Sequence, residues 1–469
     1  MAVAVAIGSL LAGWPGGSGR MASVVGAGLV IGAALNLPWL AHSLSGERSL
    51  DWLLGTRPES PALPDLVDLL RLDTGSVGGG LLGWALPMAA VVPLLLARGP
   101  RWAWAVRGLA LYLAAVAGVW ATANDWVPVA MPRPEVILTL GSLGLALSAA
   151  MSVAAIERDL RTYGFGWRQL LPITAVLALT LAVLPAARAS FDGAWEMPDQ
   201  QFNRQLAEVD GDRPERVLWI GHDDVIGVGG RQFGDGLTIA VSDSREIGFV
   251  DRWAGAPQPA DPLLNSAIQL AIDGGTSRLG RLLAPFAIGE VIVLEQSAPT
   301  PAVGLVRPVP DQLLAALSEQ LDLEQVEITP GVARYRNTAA LPVAAVVPEG
   351  ATAGVDLREF AGARTAVAAT ALEGDEGLDF AGPVALGDEV YLAVPFTERW
   401  ELEVDGRTVE PTMALDWAGS YRVPLSGEAS LEYRTSIGHR LLMIGQLLTW
   451  VVAAMALLRV SGRAREVRS

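Results

Sequence analysis

Side chains suited to acid–base or ligand chemistry occur in two places in the sequence. Glu47 and Asp51 lie in a polar segment between two apolar runs, where a carboxylate can act as the general base that activates a hydroxyl group. His222, Asp223 and Asp224 follow the short apolar run RVLWI, and ligands bind preferentially at the ends of strands in α/β folds. Glu47 and Asp51 are therefore candidate catalytic residues, and His222, Asp223 and Asp224 form a candidate ligand-binding cluster.

Each of these candidates also has a plainer interpretation. Glu47 and Asp51 can be ordinary loop charges. The cluster at His222 can be a solvated turn, because neighbouring side chains on extended backbone point to opposite faces. The sequence has three histidines, and none can be assembled with a serine and an aspartate into a hydrolytic triad.

Two further patterns favour loops over binding sites. Asp210-Gly211-Asp212 has a spacing by which carboxylates can hold a divalent cation, but it lies in a polar stretch before the first predicted strand. Gly227–Gly236 is rich in glycine and lacks the Lys-Ser/Thr pair of a phosphate loop. The chain has no cysteine, which excludes disulfides and thiolate metal sites. The sequence therefore predicts no metal site and identifies no cofactor.

The elements that must position these residues begin with long apolar runs. Hydrophobic residues make up 51% of the 469 residues and charged residues 18%, and the mean hydropathy is +0.37. A helix of about 17–25 apolar residues crosses a bilayer, and irregular backbone is not tolerated against lipid. A shorter apolar run, Met1–Trp14, precedes the predicted spans. The six predicted spans are Met21–Leu40, Gly78–Leu96, Ala103–Thr122, Ile137–Ile156, Leu170–Ala187 and Leu441–Val460.

The arginines predict the orientation of these spans. Arginines lie before the first span, between the second and third, between the fourth and fifth, and after the last. Cytoplasmic loops carry the excess of basic residues, and an alternating topology places all four groups on one side. The sequence therefore predicts a multi-pass protein of the cell membrane, with a cytoplasmic C-terminus and a large extracytoplasmic region. This topology places Met1 outside, so we expect either an internal start or a chain that is the C-terminal part of a longer protein.

The extracytoplasmic region is strongly acidic. Between Ser190 and Ile437 it has 39 acidic and 17 basic residues, a net charge of −22, whereas the whole chain has −16. Such a region repels phosphate groups, which excludes nucleic acid as a partner. It is also not expected to lie flat on anionic lipid. The lipid bilayer is the predicted partner of the apolar runs alone.

The polar and mixed segments predict the remaining architecture. Short apolar runs alternating with helical patterns predict an α/β unit, and short strands at close intervals after Ala385, with an Asp405-Gly406 hairpin signal, predict an antiparallel sandwich. The predicted fold class is a multi-pass α-helical membrane domain plus an extracytoplasmic α/β domain and a small antiparallel β-sandwich. The predicted divisions are 1–188 for the membrane helices, with an outer amphipathic loop at 43–77 lying on the membrane surface, 189–348 for the α/β domain, 349–387 for a linker, 388–437 for the β-sandwich, whose start can lie earlier, 438–460 for the final span and 461–469 for a cytoplasmic basic tail.

Several phrases of the sequence resemble a known family. RVLWIGHDD, GDGLTIAVSDSR, DRWAG and SRLGRLLAPFAIGEVIVLEQSAP, in this order between Arg216 and Pro299, are similar to a segment of actinobacterial multi-pass membrane proteins known as family 2 glycosyltransferases. The segments VARYRN and WELEVDG and the basic tail add to the resemblance. Asn36-Leu37-Pro38-Trp39 also resembles a motif at a span end in these proteins and in GT-C type transferases. The resemblance covers the C-terminal membrane and extracytoplasmic region of that family, which is most of this chain.

The resemblance implies a role in the assembly of cell-envelope glycan. The family's nucleotide-binding strand, metal-binding aspartates and acceptor base have no counterparts in this sequence, so no catalytic residue is carried over. The first hypothesis is therefore the non-catalytic membrane and extracytoplasmic part, or a separate partner, of a family 2 glycosyltransferase catalytic domain.

Two alternatives stay open. The second hypothesis is a GT-C type transferase that takes a sugar from a polyprenyl-phosphate donor, with Glu47 or Asp51 as base; the lipid-linked sugar would be its donor substrate. The third hypothesis is a non-enzymatic envelope protein that binds polysaccharide or scaffolds a complex. The sequence leaves open whether the chain is an enzyme.

Overall fold

The computed structural model describes two compact units. One consists of Met1–Met197 with Gly438–Ser469, and the other of Pro198–Ile437. We call them the helical unit and the sheet-rich unit. The residues described are 26, 28, 30–37, 65–73, 80–124, 126, 134–158, 166, 170–191, 216–226, 229–234, 236–245, 258–297, 306–352, 355–362, 368–375 and 379–466.

The helices are numbered along the described chain. Residues 30–37 of the first predicted span are also helical, apart from a turn at Asn36. A 3-10 turn at Gly80–Trp84 leads into the second helix. The α-helices are α1 (Leu66–Arg71), α2 (Ala85–Leu96), α3 (Pro100–Ala123), α4 (Pro134–Arg158), α5 (Leu171–Ser190), α6 (Asp223–Ile226), α7 (Ala260–Ile272), α8 (Leu279–Leu283), α9 (Asp311–Ser318), α10 (Leu357–Gly362) and α11 (Ile437–Glu466).

The described strands lie in the sheet-rich unit. They are β1 (Arg216–His222), β2 (Arg231–Gly234), β3 (Leu237–Ser242), β4 (Ile288–Leu294), β5 (Leu323–Thr329), β6 (Val332–Asn337), β7 (Ala344–Pro348), β8 (Thr370–Ala371), β9 (Glu373–Asp375), β10 (Asp379–Val384), β11 (Asp388–Pro395), β12 (Trp400–Val404), β13 (Arg407–Val409), β14 (Thr412–Ala414), β15 (Ala418–Arg422) and β16 (Gly427–Tyr433).

Three helices among the described residues are long and apolar enough to cross a membrane. They are α3, α4 and α11, and they confirm the helical prediction for the third, fourth and last apolar runs. The second and fifth runs correspond to shorter apolar helices, Gly80–Leu96 and Leu171–Pro185. The run Met1–Trp14 lies outside the described residues. The chain is therefore a membrane protein by the length and composition of its helices.

Close backbone contact joins α3 to α4. A Cβ atom on Gly108 would lie 2.5 Å from the carbonyl oxygen of Gly144, and a Cβ on Gly144 would be similarly close to the carbonyl oxygen of Gly108. Two serines of α4 add hydrogen bonds to α2: Ser148 Oγ donates to Ala90 O and Ser152 Oγ to Ala89 O, each at 2.7 Å. Small residues and interhelical hydrogen bonds hold helices together in lipid, where the hydrophobic effect gives no preference for contact between helices.

The described part of the outer amphipathic loop packs against this bundle. Leu69 of α1 is buried in a cluster with Ala90, Tyr112 and Val116, and the Tyr112 hydroxyl donates to the carbonyl oxygen of Leu70. The prediction for 43–77 was a segment lying on the membrane surface. The structure adds that α1 contacts α3 through Leu69 and the Leu70 carbonyl, and the position at the membrane surface stays a prediction.

A polar side chain ties the last helix to the first. Gln446 of α11 donates its amide to the carbonyl oxygen of Leu35 at 2.6 Å. Hydrogen bonds from polar side chains help to hold neighbouring helices together in lipid. The two ends of the described helical unit are thus joined by a specific hydrogen bond.

The first part of the sheet-rich unit is a six-stranded sheet with the order β2-β3-β1-β4-β6-β5. β1 and β4 run parallel, and the other pairs are antiparallel. Along the chain, α7 and α8 lie between β3 and β4, and α9 lies between β4 and β5. The predicted alternation of strands and helices is therefore realised as a mixed sheet.

Both faces of the six-stranded sheet are covered. Ile220 of β1 and Val293 of β4 point to one face, and they are buried in one core with residues of three helices. Those helix residues are Ile268 of α7, Leu282 of α8 and Leu313 of α9. The other face buries Trp219 and Ile292, the alternate residues of the same two strands. The helices α7, α8 and α9 therefore cover one face of the sheet together.

The second part is a sandwich of two five-stranded antiparallel sheets. Their orders are β14-β15-β11-β7-β8 and β13-β12-β16-β10-β9. Asp405 and Gly406, with φ of 46° and 77°, turn the chain between β12 and β13, which confirms the predicted hairpin. The prediction for 349–387 was a linker, but β8, β9 and β10 lie there and β7 pairs with β11. The sandwich therefore includes strands from Ala344 onwards.

The two parts of the sheet-rich unit share one hydrophobic core. Phe286 stacks on Trp417 with ring centroids 5.2 Å apart, and the buried Tyr391 hydroxyl donates to Pro285 O at 2.6 Å. Arg216 of β1 donates to Ala393 O of β11 at 2.5 Å. Because these contacts join the six-stranded sheet to the sandwich, the sheet-rich unit is a single compact body.

Candidate functional site

The sequence-predicted cluster at His222 lies at the end of the central parallel strands. His222 is the last residue of β1, and the short helix α6 begins with Asp223 and Asp224. The structure describes the backbone of these two aspartates. His222 is half-buried, and a Cβ on Gly236 would lie 3.7 Å from its ring. β1 and β4 run parallel, with Gly221 beside Leu294. Glu295, which follows β4, therefore lies at the same end of the strands as His222. The structure thus places His222 against the β2–β3 hairpin.

The other sequence-predicted residues lie elsewhere. Glu47 and Asp51 fall outside the described residues. Within the described ranges, no group of three or more His, Asp or Glu side chains is arranged to hold a metal ion.

A polar cavity lies at the β2 edge of the six-stranded sheet, between β2, β3 and the first turns of α7. We call it the Arg231 cavity. Its volume is about 190 Å³. Its lining consists of Gly229, Gly230, Arg231, Ile239, Ala240, Val241, Gln258, Asp261, Leu264 and Asn265.

An ion pair forms one wall of the Arg231 cavity. Arg231 Nε lies 2.5 Å from Asp261 Oδ2, and the side chains are 22% and 26% exposed. The backbone N–H of Gln258 also donates to Asp261 Oδ2, at 2.6 Å. Burial raises the pKa of Asp261, and the Gln258 hydrogen bond and the Arg231 guanidinium oppose that rise. The opposite charges of this wall therefore balance each other.

An unsatisfied acceptor forms another part of the lining. Asn265 lies one helical turn after Asp261, so both side chains lie on the same side of α7. Its Oδ1 atom is buried and has no hydrogen-bond donor among the described residues. A buried acceptor without a donor costs about 1–3 kcal/mol, and a ligand hydroxyl would remove that cost.

Glycine shapes the cavity from the β2 side. A Cβ on Gly230 would lie 2.5 Å from Ile239 O, so the chain can approach β3 this closely only without a side chain. The sequence predicted a flexible loop for Gly227–Gly236, whereas β2 lies within it. Sequence reasoning missed Arg231, Asp261 and Asn265, and the one available signal was an arginine inside a glycine-rich run.

A second cavity of about 340 Å³ lies between α9 and strands β4, β5 and β6. Its lining is mainly apolar, with Val293, Leu314 and Tyr335 prominent. Glu295 Oε1 already accepts a hydrogen bond from Val309 N at 3.1 Å, and burial raises the pKa of the Tyr335 hydroxyl. The lining of this cavity has one carboxylate and no arginine, whereas the Arg231 cavity contains an ion pair.

Together these features define a membrane protein with an acidic, sheet-rich unit that contains a small polar cavity. No family model and no curated protein matches the chain. Three solved structures are similar to it, all of the arabinofuranosyltransferase AftD from Mycobacteria. The first has 12% identity and a TM-score of 0.38, and the match covers 92% of this chain and 43% of that chain. Two structures of a mutant each have 13% identity, with TM-scores of 0.34 and 0.27, and cover 93% and 87% of this chain and 45% of theirs.

The chain therefore spans less than half of the length of these structures. At such TM-scores the likeness identifies neither the fold family nor the activity of this protein.

Proposed function

We propose that this protein is a multi-pass membrane protein of the bacterial cell envelope that takes part in glycan assembly. It acts as the non-catalytic membrane and extracytoplasmic part, or as a separate partner, of a family 2 glycosyltransferase. The observation that carries the proposal is the joining, in one chain, of membrane-crossing helices to an acidic sheet-rich unit with a polar cavity. The phrases of sequence that resemble envelope glycosyltransferases support the glycan role.

In this proposal the sheet-rich unit holds the glycan outside the cytoplasm while another domain transfers the sugar. The arginine clusters support an extracytoplasmic position for this unit, because they place both neighbouring helix ends at the outer side. The hydroxyl groups of a glycan match donors and acceptors of the kind found in the Arg231 cavity. The third hypothesis, a polysaccharide-binding or scaffolding protein, requires the same binding step.

Deletion of the gene should change the composition of the envelope glycan. The reason is that a protein which holds the acceptor glycan is needed for its extension even when another domain performs the transfer. The measurement is the glycosyl composition and chain length of purified envelope polysaccharide, with complementation by the wild-type chain as control. Unchanged glycan in the deletion strain would contradict the proposal.

A specific observation keeps the GT-C type alternative in view. The helix α1, which follows Glu47 and Asp51 in the same predicted outer loop, packs on the helical unit through the buried Leu69 and through the hydrogen bond from the Tyr112 hydroxyl to Leu70 O. In the GT-C type alternative, Glu47 or Asp51 would act as the general base for a lipid-linked sugar.

The variants Glu47→Gln and Asp51→Asn separate the two mechanisms. Under our proposal both variants restore the glycan of the deletion strain as well as the wild type does. A general base contributes about 10²–10⁴-fold to a rate, so a loss of this size in one variant would favour the GT-C type alternative. Glu59→Gln, a carboxylate of the same loop, is the matched control for expression and loop charge.

A further inference from the structure

We infer that the Arg231 cavity binds a single neutral sugar residue of the glycan, and that Asn265 accepts a hydrogen bond from one of its hydroxyl groups. This inference rests on the proposed function for the choice of a glycan. The position and the chemistry of the site come from the cavity itself.

The size of the cavity limits the ligand. The volume of about 190 Å³ suits one sugar ring. Val241 lines the cavity and is 41% exposed, so the cavity is continuous with solvent and a bound residue can remain part of a chain.

The polar groups of the cavity suit hydroxyls. Asp261 offers carboxylate oxygens and Arg231 and the amide of Asn265 offer N–H groups, while Asn265 Oδ1 is an acceptor without a donor among the described residues. Adjacent hydroxyls of a sugar both donate and accept. Ile239 and Leu264 give the apolar wall against which the C–H face of a ring can pack.

Charge selects a neutral ligand. Arg231 is engaged by Asp261 at 2.5 Å, so the cavity presents a balanced pair and no excess positive charge to an anion. The region from Ser190 to Ile437 has a net charge of −22, which repels acidic sugars and phosphates. The occupant should therefore be a neutral pentose or hexose residue.

Asn265→Leu tests the inference, because leucine has a similar size and lacks the acceptor. We expect methyl glycosides of neutral sugars to bind the full chain in nanodiscs and to lose about tenfold in affinity in this variant. The thermal stability of the variant should be unchanged or higher, since the change removes an unsatisfied acceptor. A purely structural role for Asn265 would instead lower stability.

Matched controls make the result specific. Gln269→Leu changes an exposed amide on the same helix and should leave binding unchanged. The probes are the methyl glycosides of glucose, galactose, mannose and arabinose, with glucuronate as the anionic probe, measured by calorimetry and saturation-transfer NMR.

The outcomes separate this inference from the proposed function. Equal binding by wild type and Asn265→Leu, equal binding of glucuronate, or no binding of any probe would overturn the cavity assignment. If the wild type still binds purified envelope polysaccharide in any of these cases, the proposed function stands. If sugars bind in the cavity but deletion leaves the envelope glycan unchanged, the proposed function fails alone.

Discussion

Replacing Glu290 with glutamine should destabilise the sheet-rich unit by about 3–5 kcal/mol. Glu290 lies on the central strand β4, and its carboxylate accepts hydrogen bonds from Arg334 Nε and, at 2.6 Å, from Arg245 Nε. The side chains of Arg334 and Glu290 are 2% and 8% exposed. The neutral amide would leave the guanidinium of Arg334 charged and buried without its counter-ion, and burial of such a charge is costly.

Hydrogen exchange of the full chain in nanodiscs measures this loss. The amides of β4 and β6 lie inside the six-stranded sheet, so their opening free energies report on the stability of the whole unit. Glu349→Gln is the control, because the Arg422–Glu349 pair is 3.5 Å apart with side chains 70% and 54% exposed, and an exposed pair contributes at most about 1 kcal/mol. Equal protection in the two variants would contradict the prediction.

A double variant identifies the cause. Glu290→Leu together with Arg334→Met removes both charges and should recover much of the loss, since replacing a whole buried pair by apolar residues is often neutral. Arg245 keeps its charge, and its side chain is 23% exposed and can reach water.

The second large effect is expected at the contact between α3 and α4. Valine at Gly108 should separate the two helices, because its Cβ would lie 2.5 Å from Gly144 O and backbone cannot yield as a flexible side chain can. Overpacking of this kind costs about 1–3 kcal/mol or more. A change of that size shifts an equilibrium between packed and separated helices by about fivefold or more.

Cysteine cross-linking measures the helix contact directly. The chain has no cysteine of its own, so Ala115→Cys with Gly141→Cys introduces one defined pair. A Cβ at position 141 lies 3.2 Å from Ala115 Cβ, close to the separation of about 3.5–4.5 Å in disulfides. The pair should form a disulfide readily, and Gly108→Val should lower the yield about fivefold.

Gly32→Val is the control for this experiment. Gly32 also lies in an apolar helix, but a Cβ there has nothing within 4 Å, so the yield should be unchanged. Equal yields with and without Gly108→Val would show that α3 and α4 are not held by the contact between Gly108 and Gly144.

Local patterns in the sequence were sufficient for several elements. RVLWI and EVIVL predicted the two central strands, because a short apolar run between polar residues fits a buried strand. Asp405-Gly406 predicted the hairpin, since two adjacent residues with positive φ favour these residue types. The apolar runs at α3, α4 and α11 predicted helices that can cross a membrane.

Pairing between distant strands was beyond the reach of such patterns. β7 pairs with β11 through Ala345 and Tyr391, and β10 pairs with β16 through Phe380 and Leu431. Residues 349–387, between β7 and β11, are rich in Gly, Ala and Glu and lack a clear alternation of apolar and polar residues. For this reason the sequence predicted a linker there. The strands gain their stability from partners far along the chain, and no local window contains those partners.

The candidate functional residues also fall into two groups, those that the sequence predicts and those that only the tertiary structure brings together. The sequence by itself determined that this is a membrane protein with an acidic, sheet-rich unit, because hydropathy and charge are properties of composition and order. It also singled out His222, Asp223, Asp224, Glu47 and Asp51, which stay predictions. Only the tertiary structure decided that Arg231, Asp261 and Asn265 line one cavity, since β2 pairing with β3 and the packing of α7 on the sheet bring them together. An ion pair and an unsatisfied amide oxygen are relations between residues in space, and a sequence does not contain these distances.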